Sequence, residues 1–456
     1  MVPVLLAGCS KSDNPKTEEL TEEERLILKA NKFVYDYTSE AYLWSGNIPE
    51  GIGYASAPTP QELFELMRYK ELDKWSYVTD NSQEAMDEFQ GVSTTYGYSL
   101  AFGKFSNSPD NLFAVVQYVY AGSPAMKAGL KRGDIILTYN GADLTVDNYR
   151  NLYYSQSMEI GMGTLTDGGS IGYSGVSHKL DAIKMYEDPV VSHSVIDAGG
   201  KKVGYLFYAG YYAESHEKLA EVFKGFQSAG VSELILDLRY NLGGNAVTPP
   251  YLASLFAPVS AVNGKKVFLT ETWNDLYMEY YRQMKHDMNV YFNEDTPVNL
   301  NLDRVFILTT SSTASASEAT ISGLMPYMDV VRIGEKTYGK YCAAALLSPK
   351  DADGNTIEEI SNWLLTLVVY KFVNTQGFTE FKDGIEPTFE VSDSGLLQGI
   401  PLGDERDPMI AKAISIITGG TKAAAEYPVQ VQGIQMLPYM GERPMREGMN
   451  IILTNK

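Results

Sequence analysis

The sequence predicts a multidomain α+β chain with a helical N-terminal segment, a β-rich domain and an α/β core. Three stretches carry that prediction. TEEERLILKANKFVYDYTSEAYLW repeats apolar residues at helical spacing, AGSPAMKAGLKRGDIILTYNG joins a short helix to a strand through a turn, and KVGYLF, HEKLAEVFKGFQSA and SELILDL follow one another as strand, helix and strand. At 456 residues there is room for two or three domains, each with its own core.

Residues 1–20 hold VPVLLAGC, apolar residues ending in Ala7, Gly8 and Cys9, and then the polar SKSDNPKTEE. This resembles a bacterial lipobox, although no basic stretch precedes it. The resemblance implies lipid on Cys9, a flexible tether, and a place on the periplasmic or outer-membrane side of a bacterial cell envelope. Residues 21–90 read as helical. Thr21 and an acidic first turn open one helix, with Leu26, Ala30, Phe33 and Val34 on its apolar face. Pro58 and Pro60 stand at the entrance of a second, PTPQELFELMRY. No chemistry attaches to this region, which is expected to brace the others.

Residues 91–188 form the β-rich domain. A helix starts at Ser123-Pro124 and ends at Gly129, Lys131, Arg132 and Gly133 turn the chain into the strand Asp134 to Tyr139, and Asn140-Gly141 makes a tight hairpin-type turn. This signature resembles a PDZ domain. Such domains bind an extended peptide as an added strand and hold its terminal carboxylate on backbone N–H groups. The resemblance implies a peptide-binding loop at Tyr96, Gly97, Tyr98, Ser99 and Leu100.

Residues 189–419 hold the α/β core. The strand from Lys202 to Phe207 leads to an amphipathic helix over His216 to Ala229, and the nearly continuous apolar run of SELILDL suits a strand buried on both faces. The loop Tyr240 to Asn245 then falls at the C-terminal end of that strand, where open α/β sheets place ligands, and Gly243 and Gly244 allow close backbone approach. TETWNDLYMEYYRQMKHDMNVYF reads as helical in its middle, a wall or lid of the cleft. TLVVYKFVNTQGFTEF reads as two strands around Thr375-Gln376-Gly377, and PLGDERDPMIAKAISIITG as a last helix. Residues 420–456 form an extension without an assigned role.

The chemistry falls between Arg304 and Lys340. An apolar strand, Arg304 to Thr310, passes through small hydroxyl residues into a helix with apolar Ile321, Leu324, Met325 and Met328. A short strand, Val330 to Ile333, leads on to GEKTYGK. Strand, sharp turn and helix N-terminus expose a serine well, because the first free N–H groups of the helix stabilise an oxyanion. Ser315 and Glu318 alone fit an S-x-x-E capping box, and that reading would stand if TASASE were isolated. It is not isolated: Lys340 follows Ser315 by twenty-five positions, and DLRYNLGG lies upstream at Asp237 to Gly244.

Together these motifs resemble the C-terminal processing peptidases, or tail-specific proteases. The resemblance implies a ClpP/crotonase-like catalytic core, nucleophile Ser315, base Lys340, supporting Glu318 and Thr337, and an oxyanion hole from Gly243, Gly244 and the N–H of Ala316. It implies no cofactor and, as partners, polypeptide substrates with exposed C-termini. Many members carry glutamine four residues after the lysine. Ala344 stands there, so either another group holds Lys340 or turnover is weakened, leaving a noncatalytic peptide-binding protein as the alternative.

A serine hydroxyl attacks only when a base removes its proton, and only a neutral lysine can do so. From an ordinary value near 10.4, Lys340 must fall to about 7 to 8, a change worth about 4 kcal/mol that desolvation can supply. Lys340 is therefore expected to be buried and to point away from carboxylates, with Glu335 opposing the shift and Lys336 solvated. Other chemistries find little support. A net charge of -20 argues against nucleic acid, and no stretch of about 20 apolar residues appears. His178, His193, His216 and His286 show no metal-ligand spacing. Cys342, the second cysteine, is expected to pack.

Overall fold

The computed structural model describes residues 20–166, 169–420 and 433–437. Cys9 and the tether lie outside them, as do most of residues 420–456. Thr21 starts α1 (Glu22–Ala41), its N–H bonded at 2.8 Å to the Glu24 carboxylate. Thr59 and Pro60 start α2 (Pro60–Met67). Before α3 (Ser82–Phe89) comes a strand that the helical reading missed, β1 (Tyr77–Thr79), paired antiparallel with residues 364–366. Three residues are too few to show a period, so only the distant partner defines it. Nor is the segment a separate brace. Phe33, Val34, Tyr42 and Phe64 belong to one apolar core with Leu206, Phe223, Leu236 and Ile307 of the α/β part.

The second region is an antiparallel meander. Strands β2 (Val92–Thr95) and β8 (Ile183–Tyr186) pair as a ribbon. Between them β3 (Tyr98–Phe105), β4 (Ser108–Val119), β5 (Ile135–Tyr139), β6 (Ser157–Leu165) and β7 (Ile171–Asp181) pair in that order. The predicted turns form. Ser123 Oγ accepts the Met126 N–H at 3.1 Å to start a short helical turn, and Asn140 and Gly141 take φ of 49° and 80° in the hairpin.

The core contains β9 (Val190–Ala198), β10 (Lys201–Tyr208), α4 (His216–Ser228), β11 (Glu233–Asp237), α5 (Thr248–Ser254), β14 (Arg304–Thr309), α7 (Ala316–Leu324), β15 (Asp329–Gly334) and β18 (Phe389–Glu390). Its sheet runs β9-β10-β11-β14-β15-β18, parallel except at β9. All five residues of β11 are buried, as its apolar run requires. One face joins the core already described, and the other is covered by Met409, Ile410, Ala413 and Ile417 of α8 (Pro408–Ile417).

A second sheet is built from β12 (Val267–Trp273), β13 (Asn289–Tyr291), β16 (Cys342–Leu347) and β17 (Leu364–Val373), together with β1. The helix expected in the middle of TETWNDLYMEYYRQMKHDMNVYF is α6 (Asp275–Met284), which begins where Asn274 Oδ1 accepts the Tyr277 N–H, while TETW before it belongs to β12. One expectation needs correction: the second strand after Thr375-Gln376-Gly377 does not form. Asn374 Oδ1 accepts the N–H groups of both Gln376 and Phe378, and β17 already has β16, β12 and β1 as partners. The chain instead tucks Phe378 against Phe381, rings 5.2 Å apart.

A buried ionic cluster joins the meander to the core. Arg239 donates to Asp237 at 2.8 Å, Asp407 at 2.7 Å and Asp393 at 2.9 Å. Arg132, from the turn before β5, donates to Asp393 at 2.8 Å, to the Tyr240 hydroxyl at 2.6 Å and to the Ile400 carbonyl at 2.9 Å. Burial pushes the Asp407 carboxyl up, but the charge and hydrogen bond of Arg239, with the charge of Arg132 and the Ile410 N–H, together hold the group below its ordinary value. Asp407 also caps α8 by accepting the Met409 N–H at 3.0 Å. Removing the guanidinium in Arg239→Met strands Asp237 and Asp407 as buried charges. Chemical denaturation should show a loss of about 3–5 kcal/mol.

Candidate active site

The end of β14 runs into the turn Thr310 to Ala314, and the turn is sewn to the loop after β11. Thr310 Oγ1 donates to the Arg239 carbonyl, Thr313 Oγ1 to that of Leu238 at 2.9 Å, and both the Ala314 N–H and Ser317 Oγ to that of Asn241 at 3.0 Å. TASASE and DLRYNLGG therefore form one unit. Ser315, immediately before α7, takes φ 57° and ψ −111°. For a residue with a Cβ this backbone costs about 1–3 kcal/mol and persists only where its surroundings enforce it.

Gly243 and Gly244 meet that turn at a distance no side chain would allow. A Cβ on Gly243 would fall 2.7 Å from Ser315 Cβ and 2.9 Å from the Ala316 nitrogen, and one on Gly244 would fall 2.2 Å from the Tyr211 carbonyl oxygen. Their φ values, 104° and 143°, likewise require glycine. Their roles differ. The Gly243 N–H donates to Asn241 Oδ1 at 2.9 Å, whereas the N–H groups of Gly244 and Ala316 donate to no described residue. Gly243 thus provides space, and Gly244 and Ala316 provide donors.

Glu318 is fully buried and holds the site together. Its Oε2 accepts the backbone N–H of Ser315 and that of Lys340, each at 2.8 Å. Its Oε1 accepts the Thr337 hydroxyl at 2.5 Å and the Gly339 N–H at 2.7 Å. Thr337 Oγ1 accepts the Ile385 N–H at 2.7 Å, extending the chain of bonds. Burial raises the Glu318 carboxyl to about 7 against these four donors. Three of the four are backbone N–H groups that can only donate, and only the Thr337 hydroxyl could turn to accept a carboxyl hydrogen, so the geometry favours the carboxylate. The Ser315 hydroxyl is buried and has no hydrogen-bond partner, Lys340 included. It is not spent on capping α7.

Lys340 is 2 % exposed, with Nζ 5.3 Å from the centre of the Trp75 ring. Burial lowers it to about 7, opposed by Cys342, Asp73 and Glu318. The expected burial is present, but the expected distance from carboxylates is not. The two acidic residues acting on Lys340 are Asp73 and Glu318 rather than Glu335, whose own carboxyl is raised by burial. Lys336 is exposed and pairs with Glu386 at 2.6 Å.

Trp75 and Asp73 come from the segment to which the sequence reading gave no chemistry. Asp73 is fixed there by the Tyr42 hydroxyl at 2.7 Å and the Trp75 and Ser76 N–H groups at 2.9 and 3.0 Å. No spacing in the sequence connects these residues to Lys340. Asn241, which positions both the glycine loop and the serine turn, was also overlooked, although it lies inside DLRYNLGG. Ala344 is buried in β16 opposite Val368, and Cys342 is buried and free.

A cavity of about 1160 Å³ opens beside α7, with Ala246, Ala319 and Ala345 on the site side and Phe268, Tyr281 and Phe292 beyond. Helix α6 supplies part of its wall. Glu271, bonded to Trp273 Nε1 at 3.0 Å, lines it and is raised to about 7 by burial.

In the predicted peptide loop, Tyr96 and Tyr98 are buried, their hydroxyls donating to the Ser155 and Leu152 carbonyls at 2.6 Å. The Gly97 N–H donates to Thr95 Oγ1 at 2.9 Å. Ser99 Oγ donates to Gln117 Oε1 at 2.7 Å, and Leu100 lines a second cavity against the core. His216 is lowered to about 4 by burial and stacks on Tyr251. Among the described residues no group of three or more His, Cys, Asp or Glu side chains is placed to hold a metal ion, and no helix is long and apolar enough to cross a membrane.

A buried serine at a strand-to-helix turn, backbone donors beside it without a described partner and a buried lysine are the groups that a serine peptidase site needs. Residues 202–391 match Peptidase family S41, residues 29–77 the Peptidase S41 N-terminal domain and residues 115–156 the PDZ domain. The chain belongs to peptidase family S41. It is 25% identical over 338 residues to a carboxyl-terminal-processing protease of Synechocystis, covering 73% of this chain and 71% of that one. Over 378 residues it is 25% identical to the carboxy-terminal processing protease CtpB of Bacillus subtilis, covering 76% and 72%. A crystal structure assigned to the S41 proteases from Bacteroides fragilis superposes with a TM-score of 0.70 at 26% identity, over 85% of this chain and 97% of that one. The photosystem II D1 C-terminal processing protease shares the fold, with a TM-score of 0.50 at 17% identity over 88% and 99%.

Replacing Glu318 by glutamine turns two of its acceptor sites into donors facing donors. Glu318→Gln should lose about 2–4 kcal/mol in thermal or chemical unfolding.

Proposed function

We propose that this protein is a serine endopeptidase that captures polypeptide C-termini on its PDZ domain and hydrolyses peptide bonds with Ser315 and Lys340. One observation carries the reading: a single buried carboxylate oxygen of Glu318 holds the backbone of both Ser315 and Lys340. In this reading, neutral Lys340 takes the Ser315 proton as Oγ bonds to the scissile carbonyl carbon. The N–H groups of Gly244 and Ala316 receive the oxyanion. Collapse expels the new amine, which takes the proton back from Lys340 and leaves an acyl ester. Water, losing a proton to Lys340, attacks that ester, and the proton returns to Ser315 Oγ as the acid leaves. Because the Ser315 hydroxyl has no partner in this state, the pair must come within hydrogen-bond reach before the proton moves. The same observation, with Ala344 in place of glutamine, favours a second reading in which the protein binds peptides without turnover.

The test is cleavage of an unstructured protein ending in a free apolar C-terminus. Ser315→Ala and Lys340→Ala, with circular dichroism unchanged, should each abolish it. Activity of either variant, or inactivity of the parent on a panel of such substrates, moves the peptide-binding reading ahead.

The parent rate should rise with pH through about 7, as Lys340 loses its proton. Trp75→Ala admits water to the ammonium and stabilises its charged form. It should move this limb upward by about 1 pH unit, depressing activity at pH 7 while sparing it at pH 9.

We further propose that Cys9 carries lipid and holds the chain to a bacterial envelope membrane, on the strength of VPVLLAGC. Metabolic labelling with an alkynyl fatty acid should tag the parent and not Cys9→Ala. An untagged parent removes the anchor.

A further inference from the structure

One described piece of the C-terminal extension lies on the meander. Strand β19 (Ile434–Met436) pairs antiparallel with β3, on the edge opposite β4. Ile434 stands across from Phe105, Gln435 from Lys104 and Met436 from Gly103. Further backbone bonds hold both ends: the Ser106 N–H donates to the Gly433 carbonyl at 2.8 Å, and the Leu437 N–H to the Phe102 carbonyl at 2.9 Å.

Side chains follow the period of a strand. Ile434 and Met436 pack on the cluster of Phe113, Val115 and Leu396, Leu437 packs on the opposite cluster with Leu100 and Phe102, and Gln435 is exposed. Direction matters as well. The segment runs so that its C-terminal end points toward Leu100 and the loop at residues 96–100. Met436 and Leu437 also border a cavity of about 320 Å³ whose far wall is Tyr240, Thr310, Ser311 and Ser312, next to the glycine loop and the serine turn.

We infer that residues 433–437 are the resident occupant of the β3 edge, and that an incoming extended peptide of the pattern apolar, polar, apolar, apolar must displace them to add its own strand there. This rests on reading the meander as the peptide-binding domain, and it adds what already lies in the peptide's place. An edge strand presents unpaired N–H and C=O groups that another extended segment satisfies, so the resident and the incoming chain compete for the same donors and acceptors. The apparent affinity for a peptide is then lowered in proportion to the fraction of molecules whose edge is filled.

The test measures binding, not hydrolysis, so it stands apart from the proposed mechanism. The probe is a dye-labelled peptide of residues 430–440, followed by fluorescence anisotropy on the full chain carrying Ser315→Ala, with mass spectrometry checking that the probe stays intact. Adding Met436→Asp and Leu437→Asp should release the resident segment and tighten probe binding by at least about fivefold. A second variant, Lys104→Cys with Gln435→Cys, places two cysteines directly across the ladder. When oxidised it should close a disulfide, located by peptide mapping, and lose probe binding that reduction restores. Equal affinity with and without the aspartates, no binding to either, or failure of the disulfide to form would each overturn the inference.

Discussion

The site depends on one buried carboxylate. Glu318 sits one turn into α7 and accepts four hydrogen bonds, one from the serine turn and three from the lysine turn. A neutral side chain cannot take four donors on two atoms, and an ionised one belongs in a dry interior only when all its lone pairs are used. The same bonds that make the carboxylate tolerable therefore fix the spacing between β14 and the start of β16. Glu318 also raises the proton affinity of Lys340, so the group that positions the lysine backbone also opposes its deprotonation. Burial wins that contest because Lys340 is almost wholly removed from water, with the Trp75 ring close to its ammonium.

Strain and close approach occur at the same point. Ser315 takes a backbone conformation that residues with a Cβ avoid, and Gly243 lies against it where any side chain would collide. Asn241 makes this possible. Its carbonyl accepts from Ala314 and Ser317, its side-chain oxygen from the Gly243 N–H, and its side-chain amide donates to the Tyr208 carbonyl at 2.8 Å. Strand ends, serine turn and glycine loop are thus over-determined, the condition under which a costly backbone persists. The donors left over, on Gly244 and Ala316, are the ones that this arrangement does not consume.

The ionic cluster around Arg239 and Arg132 extends the same logic to the whole molecule. Arg239 is fully buried among Asp237, Asp393 and Asp407, while Arg132 reaches in from the meander to Asp393 and Tyr240. Neither guanidinium could lose a partner cheaply at that depth. The meander is therefore seated against the loop that carries the glycines, and the N-terminal helices share an apolar core with the catalytic sheet. These are separate stretches of sequence that fold around shared interiors.

The sequence by itself determined the local units and the chemistry they can support. Apolar spacing marked α1, α4 and β11, Ser123 and Gly129 bounded the short helix, and Asn140-Gly141 set the hairpin. These are short-range signals, legible because a cap, a turn or a strand depends on residues a few positions apart, whereas Ser315, Glu318, Thr337, Lys340 and the two glycines were named by the family resemblance that SASE, GEKTYGK and NLGG carry together. Only the tertiary structure decided that Trp75 and Asp73 border the lysine, that β1 belongs to the second sheet, that Asn374 stops a second strand after β17, and that residues 433–437 lie along β3. These depend on groups brought together from distant parts of the chain, where desolvation and shared hydrogen bonds set the outcome and no local pattern records the partner.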